Sequence, residues 1–243
     1  MLLLSLLYVS SIVSFFAIQG SDPGYLTTDS IPLSLKEMVT NENTTTATIQ
    51  SGLDIEIGSQ SNVLYCDKCN IITPIRSHHC KVCQRCVATF DHHCPVIGTC
   101  IGERNHSKFY ILLVTHLLVL WYGSHIVKTR VIDSTIDPTW IKFYKDLAHL
   151  TSFIYGFLWF YVLLILLFHT WLILTSTTTY EVGARPEKLK YLHNSNKDVF
   201  DLPFSQGFIQ NCYNALCLRL DFFRKDKENW KPIIWKTNSR SPQ

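Results

Sequence analysis

Between Cys66 and Cys100 the chain reads CDKCNIITPIRSHHCKVCQRCVATFDHHCPVIGTC, which gathers seven of its nine cysteines beside the pairs His78-His79 and His92-His93. Two Cys-x-x-Cys knuckles, Cys66 with Cys69 and Cys80 with Cys83, each present two thiolates in a tight turn suited to tetrahedral zinc. Together with Cys86, Cys94, Cys100 and the histidines, the region supplies eight nitrogen or sulfur ligands for two closed sites and still has donors to spare. A purely structural module has no use for spare donors, whereas a catalytic one needs a thiol that the metals do not consume. On the residues alone two readings stay open: a catalytic thiol, or a tandem zinc module that binds a partner and uses Cys94 as one more ligand. Few other side chains could build a core in so short a segment, so metal binding would itself supply the folding energy.

The segments around this cluster must hold it in place. The chain has 243 residues and a mean hydropathy of +0.11, too apolar for a water-soluble domain of ordinary composition. A net charge of only +3 implies no nucleic-acid partner. Residues 1–19, 109–127 and 153–175 are read as transmembrane helices, since each lacks charge over roughly the 20 residues a hydrocarbon core requires. The last is the clearest, because Leu147 to Tyr180 contains no charged residue. The second carries His116 and His125, expected to face other helices rather than lipid. The first could instead be a cleaved signal peptide, but it has no basic start and only a poor cleavage site near Gly20, so an uncleaved helix is expected. Residues 20–61 read as a polar linker, 62–108 as the cysteine-rich domain, 128–152 as a lumenal loop and 176–243 as a cytosolic tail; no internal repeat is evident.

Positive charge sets the orientation. The tail carries eleven Lys or Arg and the cluster with its linker seven, against four in the 128–152 loop, so the cluster and tail are expected in the cytosol and the N-terminus in the lumen. Cytosolic cysteines stay reduced, which favours zinc over disulfides. Asn43 and Asn105 match the N-glycosylation pattern but lie on the wrong side of the membrane, and neither is expected to be used.

At Asp91-His92-His93-Cys94 the chain resembles the DHHC family of protein S-acyltransferases, or palmitoyltransferases. The likeness covers the whole spacing: Cys66, Cys69, His79-Cys80, Cys83, Cys86, Asp91-His92-His93-Cys94, Cys100, Asn105 and Phe109. It implies one zinc held by Cys66, Cys69, His79 and Cys86, and a second by Cys80, Cys83, His93 and Cys100, a pairing that spacing alone does not determine. It also implies Cys94 as nucleophile, His92 as its base, and Asp91 orienting His92, in a two-step transfer from an acyl-CoA to a protein cysteine. Asp22-Pro23-Gly24 after the first span and Thr178-Thr179-Tyr180-Glu181 after the last resemble further family motifs, as do Pro203, Phe204, Gly207 and Asn211 in the tail, where the Asn would anchor the tail on the membrane helices. Independently, Phe208, Ile209, Cys212, Tyr213, Leu216 and Leu220 recur at helical spacing as an apolar stripe, with Cys212 and Cys217 read as packing residues.

The resulting expectation is an all-α multi-pass membrane protein with three transmembrane helices and a small, loop-rich, two-zinc cysteine-rich domain on the cytosolic face. Its implied partners are the lipid bilayer, palmitoyl-CoA or another long-chain acyl-CoA, and proteins with membrane-proximal cysteines; its implied site is the endomembrane system, Golgi, endoplasmic reticulum or vacuole. Arg76, Lys81, Arg85, Arg104 and Lys108 are candidate cationic partners for CoA, although a positive-inside surface explains the same charges equally well. The rivals are a non-catalytic membrane-tethered zinc adaptor and a RING-like ubiquitin ligase module. Two departures from the family pattern stand out. Only one span precedes the cluster where the usual member has two, and the start at Met1 inside an apolar run points to a shortened chain. Val96, Gly98 and Thr99 replace the common Trp and paired Asn.

Overall fold

The computed structural model describes residues 2–29, 63–129, 141–184, 189, 202–217, 230–233 and 235. Most of the 20–61 linker, Asn43 and Leu220 lie outside the described residues. The chain divides into two compact units, Met1–Gly20 with Lys108–Trp171, and Ser21–Ser107 with Leu172–Gln243.

The first unit is helical, built from α1 (Leu2–Gln19) and from most of α2 (His106–Val127) and α3 (Ile141–Thr175). Among the described residues, two helices are long and apolar enough to cross a membrane, His106–Val127 and Lys142–Thr175; the apolar part of α1, Leu4–Gln19, is shorter. Phe153, Phe157, Phe160, Leu164 and Leu167 are exposed on α3, as expected of a helix that is apolar all round and meets lipid. α3 begins at Ile141, so the expected 128–152 loop is helical from there onward. Hydropathy marks where hydrocarbon begins, whereas the backbone ladder continues past it through Lys142, Lys145 and Asp146. His116 faces another helix as expected, its Nδ1 2.9 Å from Ser11 Oγ. His125 does not: it is exposed in the last turn of α2, where its ring packs beside Trp121 and Tyr122 of its own helix. A position at a helix end lets an imidazole reach water.

The second unit carries the cysteine-rich segment, which folds not as loops but as three antiparallel hairpins: β1 (Val63–Cys66) with β2 (Ile71–Pro74), β3 (His78–Cys80) with β4 (Arg85–Val87), and β5 (His92–Cys94) with β6 (Thr99–Ile101). They repeat at a spacing of 14 residues. Cys66, Cys80 and Cys94 each end a first strand, and Asn70, Gln84 and Gly98 each occupy the left-handed region that turns the chain back, with φ of 53°, 53° and 77°. His79 faces Cys86 across the second hairpin, and His93 faces Cys100 across the third. An internal repeat is therefore present where none is evident in the residues; strands of three or four residues are too short to show an alternating pattern.

Apolar packing here is thin. Among the described residues the buried clusters around the hairpins contain a handful of aliphatic or aromatic side chains, and Cys80, Cys86 and Cys100 are themselves among their members. Such a unit needs cross-links beyond hydrophobic burial.

α3 ends in a Schellman turn: Ser176 takes φ 54°, its N–H donates to Ile173 O, and the Thr177 N–H donates to Leu172 O. Two residues later α4 (Thr179–Gly183) starts with a capping box, in which Thr178 Oγ1 accepts the Glu181 N–H and the Glu181 carboxylate accepts the Thr178 N–H. α5 (Phe208–Cys212) continues into a wider helical turn, Tyr213–Cys217.

Candidate functional site

Each metal cluster joins the knuckle of one hairpin to the cross-strand pair of the next. Cys66 and Cys69 meet His79 and Cys86; Cys80 and Cys83 meet His93 and Cys100; within each group the candidate ligand atoms all lie within 4.8 Å of one another. The His79 Nδ1 lies 3.7, 3.2 and 3.9 Å from the sulfurs of Cys66, Cys69 and Cys86, and the His93 Nδ1 lies 3.7, 3.4 and 3.6 Å from those of Cys80, Cys83 and Cys100. A tetrahedral zinc with ordinary bond lengths sets its donors about 3.6 to 3.8 Å apart, so both groups fit that ion. None of the described cysteines forms a disulfide. Burial and the neighbouring thiols push Cys86 and Cys100 well above the usual thiol range, a conflict that a cation among the four donors relieves.

The third hairpin repeats the knuckle without its second cysteine. Cys94 stands where Cys66 and Cys80 stand, but buried Ile97 occupies the position of Cys69 and Cys83. Cys94 therefore belongs to neither four-donor group. The knuckle backbone is retained, so the N–H groups of Ile97 and Val96 still point at the Cys94 sulfur, as those of Cys83 and Val82 point at Cys80. Burial alone would raise the Cys94 thiol; the hydrogen bond from His92, these amides and the His92 charge outweigh it and hold the thiol below its ordinary value.

His92 Nδ1 lies 2.6 Å from Asp91 Oδ2. Burial acts to lower the imidazole pKa, but hydrogen bonds and charge from Asp91 and Cys94 prevail and raise it to about 9. Asp91 is buried and fully engaged. Its Oδ1 accepts the Thr179 N–H at 2.8 Å, and its Oδ2 accepts the Thr179 hydroxyl at 2.9 Å. The arrangement is a thiol beside an imidazole that a carboxylate orients, with the carboxylate fixed by the first residue of α4.

The flanking motifs act as braces. Asp22 accepts the N–H groups of Gly24 and Tyr25 at 2.9 Å each and pairs with Arg104 at 2.6 Å; Pro23 is buried, and the Gly24 carbonyl accepts the Ala88 N–H. Glu181, the last member of Thr-Thr-Tyr-Glu, binds Arg76 through both oxygens at 2.7 and 2.8 Å, and Arg76 also donates to Ser176 O. Asn211 donates to Leu174 O at 2.7 Å, satisfying one of the open carbonyls at the end of α3, and accepts the Gln206 N–H. Buried Asn105 accepts the Gly102 N–H and donates to Cys100 O.

One expectation is corrected here. Arg76 is not available to CoA: it is 4% exposed, paired with Glu181 and flanked by the rings of Phe204 and Trp235 at 4.4 and 4.3 Å. Arg85 stacks on Tyr25 and Arg104 on Trp230, while Lys81 is exposed. Thr89, Glu103, Trp230 and Trp235 also take part, and no sequence motif marks them. Tyr180 packs on His78 and Phe90. Only the aromatic character of the tail, isolated among charges, could have hinted at the two tryptophans.

Among the described residues these elements define a class: a protein with two membrane-length helices and a hairpin module with two candidate metal sites that keeps one Cys-His-Asp set apart from their ligands. A profile of the DHHC palmitoyltransferase family matches residues 59–184, more than half of the chain, and the chain belongs to that family. It is 31% identical to Protein S-acyltransferase 10 of Arabidopsis thaliana over 87% of this chain and 69% of that protein. Palmitoyltransferase ZDHHC2 of Mus musculus is 33% identical over 61% of this chain and 40% of its own length, and Protein S-acyltransferase 8 of Arabidopsis thaliana 28% identical over 92% and 54%. The chain thus spans roughly two fifths to two thirds of these relatives.

Proposed function

We propose that this chain is a protein-cysteine S-acyltransferase that carries a long-chain fatty acyl group on Cys94. The observation behind this reading is that Cys94 stands outside both four-donor groups and shares a hydrogen bond with His92, itself paired with Asp91. With His92 raised to about 9 the imidazole is a cation at neutral pH, and its hydrogen bond and charge hold the Cys94 thiol below its ordinary value, which favours the thiolate. The Cys94 sulfur attacks the thioester carbon of an acyl-CoA; the new carbon–sulfur bond forms as the bond to the CoA sulfur breaks, and His92 gives its proton to the departing thiolate. In the second step the now neutral His92 takes the proton of a substrate cysteine thiol, whose sulfur accepts the acyl group while Cys94 leaves as thiolate. Both steps exchange one thioester for another, so the protein contributes positioning and charge rather than driving force.

Cys66, Cys69, His79 and Cys86 would hold one zinc, and Cys80, Cys83, His93 and Cys100 the other. When bound, these ions would lock the hairpins together and so fix the backbone that presents Cys94 and His92. The same reading makes α1 a third membrane crossing and places the hairpins on the cytosolic face of an endomembrane, where palmitoyl-CoA and membrane-proximal cysteines of other proteins are accessible. The test is to incubate the purified protein with labelled palmitoyl-CoA and measure hydroxylamine-labile label. Label that persists in Cys94→Ser removes Cys94 from the mechanism, and a wild-type protein without label ends the enzymatic reading.

A further inference from the structure

The tail segment Trp230–Ile233 with Trp235 is the part of the second unit for which the acyl-transfer reading has no use. Trp235 lies over the Arg76 guanidinium at 4.3 Å, meets the Phe204 ring edge-on with centroids 5.5 Å apart, and donates its indole N–H to Thr89 Oγ1 at 3.0 Å. The Thr89 hydroxyl donates in turn to Glu103 at 2.9 Å, and the Glu103 carboxylate accepts the Ile233 N–H at 3.2 Å. Thr89 and Glu103 are both buried, and Thr89 is held at φ 43°, a conformation a β-branched residue adopts only when its surroundings impose it.

Two supports of Asp91 meet at this indole. The first is the backbone leading into Asp91, where Thr89 sits two residues upstream and the Phe90 N–H donates to the Arg76 carbonyl. The second is Thr179, the residue that fixes the Asp91 carboxylate; it opens the helix whose Glu181 is gripped by the Arg76 side chain. Trp235, Thr89, Arg76 and Asp91 line one small cavity. A buried cation–π contact together with an indole hydrogen bond is strong enough to hold both supports in register.

We infer that Trp235 is a positioning residue for the Asp91–His92 pair, with Trp230–Ile233 and Trp235 serving as a strap that fixes the backbone and the threonine brace of Asp91 at once. This rests on the reading that Cys94 is acylated. Loss of the Trp235 indole frees the backbone and the threonine brace of Asp91 together, and shifts the carboxylate relative to the imidazole.

The test uses the full-length protein in detergent and labelled palmitoyl-CoA, following the initial rate of Cys94 loading against donor concentration together with zinc content. Trp235→Ala is expected to lower kcat for loading about tenfold while KM for palmitoyl-CoA changes less than about twofold and zinc stays at the wild-type level. Trp235→Phe, which keeps a ring over Arg76, is expected to recover most of the loss. A Trp235→Ala protein that loads at the wild-type kcat overturns the inference, and so does one that has lost zinc and is not rescued by Phe, because that pattern marks simple scaffolding. Absence of loading in the wild type overturns the acyl-enzyme reading and this one with it, whereas normal wild-type loading with an unchanged Trp235→Ala rejects only the role of Trp235.

Discussion

Thr179 gives Asp91 two hydrogen bonds, one from its backbone N–H at 2.8 Å and one from its hydroxyl at 2.9 Å, one to each carboxylate oxygen. The second member of the Thr-Thr-Tyr-Glu sequence therefore acts on the residue that orients His92. Removing the hydroxyl as Thr179→Val deletes one donor to a buried carboxylate, worth about 1.5 kcal/mol, so the rate of Cys94 loading should fall about tenfold. Thr179→Ser should restore it; equal rates in all three proteins would show that the hydroxyl has no part in the chemistry.

The two neighbouring histidines separate by role. His93 Nδ1 faces three sulfurs, whereas His92 Nδ1 faces a carboxylate. His92→Ala is expected to retain wild-type zinc content and lose loading, and His93→Ala to lose zinc. Elemental analysis beside the labelling assay decides it, and the reverse pattern would exchange the assignments.

The pH dependence of loading follows from the direction of two shifts. Asp91 raises His92, and the resulting cation lowers Cys94, so wild-type loading should persist at neutral pH where an ordinary thiol is mostly protonated. In Asp91→Asn the anion is gone, burial then lowers the imidazole, and Cys94 loses the neighbouring cation that held its thiol down. Loading in that variant should drop at neutral pH and recover in part toward about pH 9. Parallel profiles from pH 6 to 9 for the two proteins would falsify this coupling.

Arg76 and Glu181 form a buried ion pair whose side chains are 2% and 1% exposed. Arg76→Ala leaves the carboxylate buried without its partner and should cost about 3–5 kcal/mol, read as a lower unfolding temperature in detergent. Adding Glu181→Gln should return part of that loss, since the stranded charge disappears with it. If the double variant is as unstable as the sum of the two single ones, the pair contributes nothing as a pair.

The chemistry was more legible than the architecture. Cys66, Cys69, Cys80 and Cys83 declare themselves because a knuckle needs only four consecutive residues, and the Asp91-to-Cys94 set stands out because it is contiguous. The hairpins are hidden, since their strands are too short for alternation and their turns use Asn70 and Gln84 as well as Gly98 in the left-handed region. The place of Arg76 is hidden for a related reason: a surface cation and a buried one look alike until the partner, 105 residues away, is known. The apolar run 153–175 marked the lipid-facing part of α3 and missed the charged turns before it, which hydropathy does not register as helix.

Ile97 is the one side chain by which the third hairpin falls short of its two siblings at the knuckle. An aliphatic group stands there in place of a second sulfur, and a lone thiol makes a poor chelator. Exchange it for cysteine, and trace metal in the cell would compete with the lipid donor for the same atom; the supply of free ions, rather than of fatty acid, would then govern turnover. On the acyl-transfer reading, selectivity for carbon over metal at Cys94 is the work of this hydrocarbon side chain.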